Sequence, residues 1–216
     1  VTLGELKTHF KAMLNNNVVN KSDALVSLLI NQSIMRMQRE LRVPFMEKQI
    51  LYTIPSDYTK LAIPSDMLEL IAIMSDGDKD GILEYQLRKS SLTQVVTDSQ
   101  LSAGVAPRRY TRQGGSWILG PKPGEGDQIL IHYYAEFAAL TDDASTNTAL
   151  KVAWDAVLYG ALAAAYSYLK DVENRAEAEA TYAQITQNLQ KMADADELAA
   201  DAVVAPALAF DTDGSW

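Results

Sequence analysis

The 216-residue chain contains no cysteine, which excludes disulfides, a thiolate nucleophile, thiolate-bound zinc and iron–sulfur clusters. Histidine is nearly as scarce. His9 and His132 are the whole complement, and neither has a second histidine at ligand spacing, so a zinc site or an imidazole base has little to build on. Long hydrophobic runs are missing too. The longest uncharged apolar stretch, Ala156 to Leu169, is shorter than the roughly 18 residues a membrane-spanning helix demands. The N-terminal residues show no basic cluster leading into an apolar segment, so no signal peptide is expected. Ser116 and Ser167 stand in neither a G-x-S-x-G elbow nor a triad order, which leaves a hydrolase without a nucleophile. Gly124-Glu125-Gly126 puts a carboxylate where a phosphate cradle needs bare amides at a helix start.

What the chain does have is apolar mass and acid. A hydrophobic fraction of 48% over this length supports one sizeable core, or one core with a satellite. The formal net charge of −9 is unevenly placed: from Asp171 onward ten acids face only Arg175 and Lys191. The first forty-odd residues lean slightly basic through Lys7, Lys11, Lys21, Arg36, Arg39 and Arg42. So acidic a surface repels phosphate, and specific nucleic-acid binding is not expected.

Helical periodicity marks both ends. Thr2-Leu3-Gly4-Glu5 has capping-box spacing and predicts a helix to about Leu14. Ser22 is placed to cap a second, on which Val26, Ile30, Ile34, Met37 and Leu41 recur at steps of three and four, with Leu25, Leu28 and Leu29 widening the stripe. A third helix, about Ala149 to Leu169, is apolar almost all round. A fourth, about Glu173 to Asp196, carries Ala178, Tyr182, Ile185, Leu189 and Met192 as a seam. Between them, from Gln49 to Phe137, short β-branched and aromatic runs are cut by turn residues. The strands expected are Gln49–Ile54, Leu61–Ile63, Met67–Met74 and Ile82–Leu87, with a short helix after Ser90 or Ser91. Arg109–Arg112, Ser116–Leu119 and Gln128–Tyr134 then read as three consecutive antiparallel strands. The fold class is α+β: a helical bundle from residues 1–47 and 138–196, an inserted antiparallel sandwich or barrel-like module at 48–137, and an extended arm at 197–216.

Four features compete as chemistry. Asp76-Gly77-Asp78-Lys79-Asp80-Gly81 matches the first half of a calcium loop, making Asp76, Asp78 and Asp80 metal candidates. Leu87, however, occupies the twelfth position, where a bidentate glutamate belongs, and the flanks read as strands. Arg108, Arg109, Arg112 and Lys122 form a basic cluster in the β module that suits a strand edge or a salt-bridging contact to an acidic partner. Scattered carboxylates such as Glu69, Asp76 and Glu84 are the only raw material for an enzyme. Finally, Val203, Val204, Leu208, Phe210 and Trp216 put large apolar groups into an acidic terminal stretch, which suits either a solvated tail or an arm that docks on a neighbour. No cofactor is expected.

The ordered set Tyr52-Thr53-Ile54-Pro55-Ser56-Asp57-Tyr58, Trp117-Ile118-Leu119-Gly120-Pro121-Lys122-Pro123 and Ile129-Leu130-Ile131-His132-Tyr133-Tyr134, followed by a polar loop and the Ala/Tyr-rich stretch Trp154 to Leu169, resembles head-to-tail adaptor (connector) proteins of tailed bacteriophages. The resemblance runs to about Met192. It implies a structural protein of the virion without enzymatic activity, made in the host cytoplasm. It also implies a ring, often twelve-fold, that joins the portal protein to the tail nozzle or tube and passes DNA through its lumen. On that reading the terminal apolar residues are the place for a portal-binding arm. The alternative is a monomeric ligand- or calcium-binding module with a β domain.

Overall fold

The computed structural model describes residues 1–76, 83–101 and 105–201. They form two compact units, one from Val1–Pro44 and the segment from Leu140 onward, the other Phe45–Ala139. Helices from both ends of the chain build the first; two largely antiparallel sheets make the second, inserted between them. This is the α+β class expected from the sequence pattern.

In the helical unit, α1 (Leu3–Leu14) opens with the capping box: Thr2 Oγ1 accepts from the Glu5 amide, and Glu5 accepts from the Thr2 amide at 2.9 Å. It closes at Asn15, whose φ of 42° is left-handed, a conformation asparagine tolerates. A single turn, α2 (Asn17–Asn20), leads to α3 (Asp23–Glu40), where Ser22 caps through the Leu25 amide. Val26, Ile30, Ile34 and Met37 are buried as their spacing demands. Leu28 is not: it is 63% exposed, so the stripe is narrower than the run of leucines suggested.

The expected third helix is two, α5 (Thr148–Val152) and α6 (Trp154–Leu169), broken at Ala153 with φ −138° and ψ 41°. Alanine favours helix, so nothing local announces this break; Ala153 is 1% exposed, and its surroundings hold it there. The last helix, α7 (Val172–Asp201), buries Ala178, Tyr182, Thr186 and Ala193, whereas Met192 is 68% exposed. The seam therefore advances by four residues where the sequence pattern had suggested three, and Ile185 and Leu189 are only half-buried. Helix α6 packs on α1, α3, α5 and α7. Close approach of α3 and α7 to α6 is possible because position 160 is glycine: a Cβ there would stand 2.2 Å from Ser33 Oγ and 3.2 Å from the Tyr182 ring.

In the second unit, the sheet order β1–β8–β3–β4 comprises Glu47–Thr53, Gln128–Ala135, Met67–Asp76 and Leu83–Gln86. The other, β2–β7–β6–β5, comprises Leu61–Ala62, Ser116–Gly120, Arg109–Gln113 and Arg88–Lys89, with β5 and β6 parallel. Helix α4 (Leu92–Leu101) packs on β6 and β7. Alternation writes the core directly: Ile129, Ile131, Tyr133 and Ala135 point inward from β8, and Trp117 and Leu119 meet them from β7. The three strands expected to run consecutively do not share a sheet. β6 and β7 pair as a hairpin, but β8 crosses over to lie between β1 and β3. The linker permits this because it is long and self-bonded, with the Asp127 carboxylate accepting from the Gly124 amide at 2.7 Å.

Candidate assembly surfaces

The helical unit presents a groove of about 470 Å³ where α3, α6 and α7 diverge. It is lined by Leu25, Leu28 and Leu29 from α3 and by Gly160, Ala164 and Tyr168 from α6. Leu28 and Tyr168 are 63% and 59% exposed. Below them, Arg36 donates to Glu40 at 2.9 Å and to Glu179 at 3.0 Å, and its guanidinium lies 4.3 Å over the Tyr182 ring. Tyr182 in turn donates to Glu40 at 2.7 Å. Burial alone would weaken the guanidinium's hold on its proton, but the hydrogen bonds to Glu40 and Glu179 outweigh it and raise the Arg36 pKa. Burial, then the Glu40 hydrogen bond, also drives the Tyr182 pKa up. Arg36 is thus neutralised within the fold. Arg39 and Arg175, which also line the groove, have no carboxylate at ion-pair distance among the described residues; Arg39 Nε donates to the Met35 carbonyl at 3.1 Å.

The other flank of the α6/α7 pair differs in sign. A smaller hollow of about 180 Å³ is lined by Met13, Tyr159, Tyr166, Asn174, Glu177 and Thr181. The Tyr166 pKa is raised by burial and then by the negative charges of Asp171 and Glu177. Arg175 and Glu177 are two positions apart, so they leave α7 about 200° from one another.

In the β unit, Arg108 stacks 3.6 Å from the Tyr85 ring centroid and Arg109 pairs with Asp98 at 2.8 Å. Both line a concavity of about 610 Å³ with Arg88, which sits opposite Arg109 in the β5–β6 register. Arg112 is elsewhere: at the far end of β6 its Nε donates to the Gly114 carbonyl at 3.1 Å. Of the basic cluster seen in the sequence, two arginines therefore line the concavity and one stands at the hairpin turn. Arg88 was the missed member; the Arg88-Lys89 pair fell between two expected elements, and only the parallel pairing brings it to Arg109.

The remaining candidates take structural places. His9 lies against Trp154 with ring centroids 5.9 Å apart, and His132 bonds Glu47 at 2.8 Å across the sheet. Asp76 is 1% exposed at the end of β3, and Asp78 and Asp80 lie outside the described residues. Among the described residues no three His, Asp or Glu side chains converge to hold a metal ion. Val203, Val204, Leu208, Phe210 and Trp216 also lie outside them.

Exposed apolar side chains beside arginines that no described carboxylate neutralises are the marks of a surface built to contact proteins. The model of the SU10 adaptor protein family matches residues 1–207, and the chain belongs to that family. It is a family of phage head–tail adaptors, structural proteins of the virion and not enzymes. No curated protein matches the chain. No helix among the described residues is long and apolar enough to cross a membrane.

Proposed function

We propose that the chain is a ring-forming adaptor between the portal and the tail of a tailed phage, with DNA passing through the ring's lumen. The observation that carries this reading is the adaptor-family match over residues 1–207. The physical features agree with it. A chain of net charge −9 with its acids concentrated beyond Asp171 supplies a wall that repels phosphate, as a DNA conduit requires. In this proposal the terminal residues Val203, Val204, Leu208, Phe210 and Trp216 form the portal-binding arm. Arg108 in its concavity, with Arg112 at the turn, meets acidic groups on the portal or the tail nozzle, and Arg109, already paired with Asp98, contributes less.

Native mass spectrometry of the full chain, alone and mixed with portal protein from the same genome, tests this. The expected result is a ring, formed either alone or on the portal. A chain that stays monomeric and ignores the portal overturns it. Truncation at Ala199 is expected to abolish portal binding while leaving the far-ultraviolet circular dichroism of the folded units intact; unchanged binding removes the arm from the proposal.

A further inference from the structure

A closed ring of identical subunits needs a heterologous interface: two different surfaces on each copy, complementary to each other. The helical unit has such a pair on the two flanks of α6/α7. One flank is the groove, with Leu28 and Tyr168 exposed and the guanidinia of Arg39 and Arg175 unmatched by any described carboxylate. The other is the Met13, Tyr166 and Glu177 hollow, which the Glu177 carboxylate lines and where Tyr166 feels the negative charges of Asp171 and Glu177.

We propose that the groove of one copy receives the Met13/Glu177 flank of the next. This rests on the ring reading and deepens it by naming the surfaces that close the ring. Charge complementarity selects the occupant. Arg175 has no described acid of its own copy at ion-pair distance, and Glu177, exposed on the opposite side of the same helix, is the group that the next copy offers. The apolar parts match as well. Met13 is 47% exposed, and its unbranched thioether can fill an irregular slot between Leu28 and Tyr168. Arg36, already bonded to Glu40 and Glu179, would contribute little. Rim pairs of this kind set orientation and association rate more than affinity, so assembly should weaken with added salt.

The test uses charge reversals in the full-length chain, read by native mass spectrometry with one variant isotopically labelled. Arg175→Glu sets a carboxylate against Glu177 of the next copy, and Glu177→Arg sets two guanidinium groups together. Each variant alone is expected to lose the ring under conditions where the wild type forms it. An equimolar mixture is expected to recover rings containing both, because every junction is then Arg against Glu. Leu28→Asp is expected to lose the ring without rescue by either partner. Both reversed residues are exposed, and unchanged circular dichroism would confirm folding. Rings formed by all variants overturn this interface while leaving the adaptor reading intact. A wild-type chain that forms no ring, alone or with portal protein, overturns both.

Discussion

The two units are held together by different physics, and the contrast explains why one was easier to read than the other. The sandwich depends on large side chains delivered by strict alternation: Trp117, Ile131 and Tyr133 are each 2% exposed or less, and each lies where period two puts it. The helical unit depends at its centre on an absence. Gly160 lets α3 and α7 close over α6. The polar groups there are either networked, as Arg36, Glu40, Tyr182 and Glu179 are, or buried and left over, as Ser33 Oγ is, with no hydrogen-bond partner among the described residues. Removing volume should therefore be the gravest insult to the sandwich, and adding volume the gravest to the bundle.

Trp117→Ala should cost the most, about 3–5 kcal/mol, because the indole is 2% exposed and packs edge-on to Tyr110 at 6.5 Å. Chemical denaturation measures the loss, and amide exchange should show it concentrated in residues 45–139. Gly160→Ala should come next, at about 1–3 kcal/mol. Ser33→Ala alone should be neutral or stabilising, since it deletes a buried hydroxyl without a described partner. In the Gly160→Ala background it should recover part of the loss, leaving the contact at 3.2 Å with Tyr182. Strict additivity of the two in a double-mutant cycle would refute the crowding argument. If Gly160→Ala proves harmless, the contrast between the units fails.

Tyr182→Phe should cost about 1 kcal/mol through the lost hydrogen bond to Glu40. It also carries a pH signature. The folded pKa is raised above the ordinary 10.0, so the folded state holds the phenolic proton more tightly. That contribution is full below about pH 10 and is lost as pH rises above it. Wild-type stability should then fall more steeply than that of the phenylalanine variant on the alkaline side, and parallel melting curves at about pH 9 to 11 would count against it. Asp143→Ala should matter least, at most about 0.5 kcal/mol. Its bond to Lys7 is only 2.5 Å long, but the carboxylate is 66% exposed. A larger loss would mean that loop 141–147 braces α1 by more than charge.

How far the sequence could be read follows from what kind of signal each feature carries. The capping box at Thr2, the Ser22 cap and the inward face of β8 rest on neighbours within a few positions, so they were legible. The break at Ala153, the exposure of Leu28 and the crossover of β8 were not, because propensity and pattern pointed the other way and only contact with distant elements reversed them. The site divided in the same manner. Arg108 and Arg109 were marked as basic, but Arg88 joins them only through a parallel pairing, and Arg112 leaves them because a strand has two ends.

By itself the sequence determined the α+β order, the alternating core of the sandwich, the acidic balance beyond Asp171 and the resemblance to head-to-tail adaptors. These follow from local spacing and from composition, neither of which depends on where a residue lands in space. Tertiary structure alone decided which arginines of the helical unit are neutralised and which are left. Arg36 and Arg175 each have a glutamate four residues further on, Glu40 and Glu179, yet of Arg36, Arg39 and Arg175 only Arg36 meets a described carboxylate: it keeps Glu40 and also takes Glu179, which reaches it across more than a hundred residues when α7 folds back beside α3. A charge is available to a partner only when the fold has not already satisfied it.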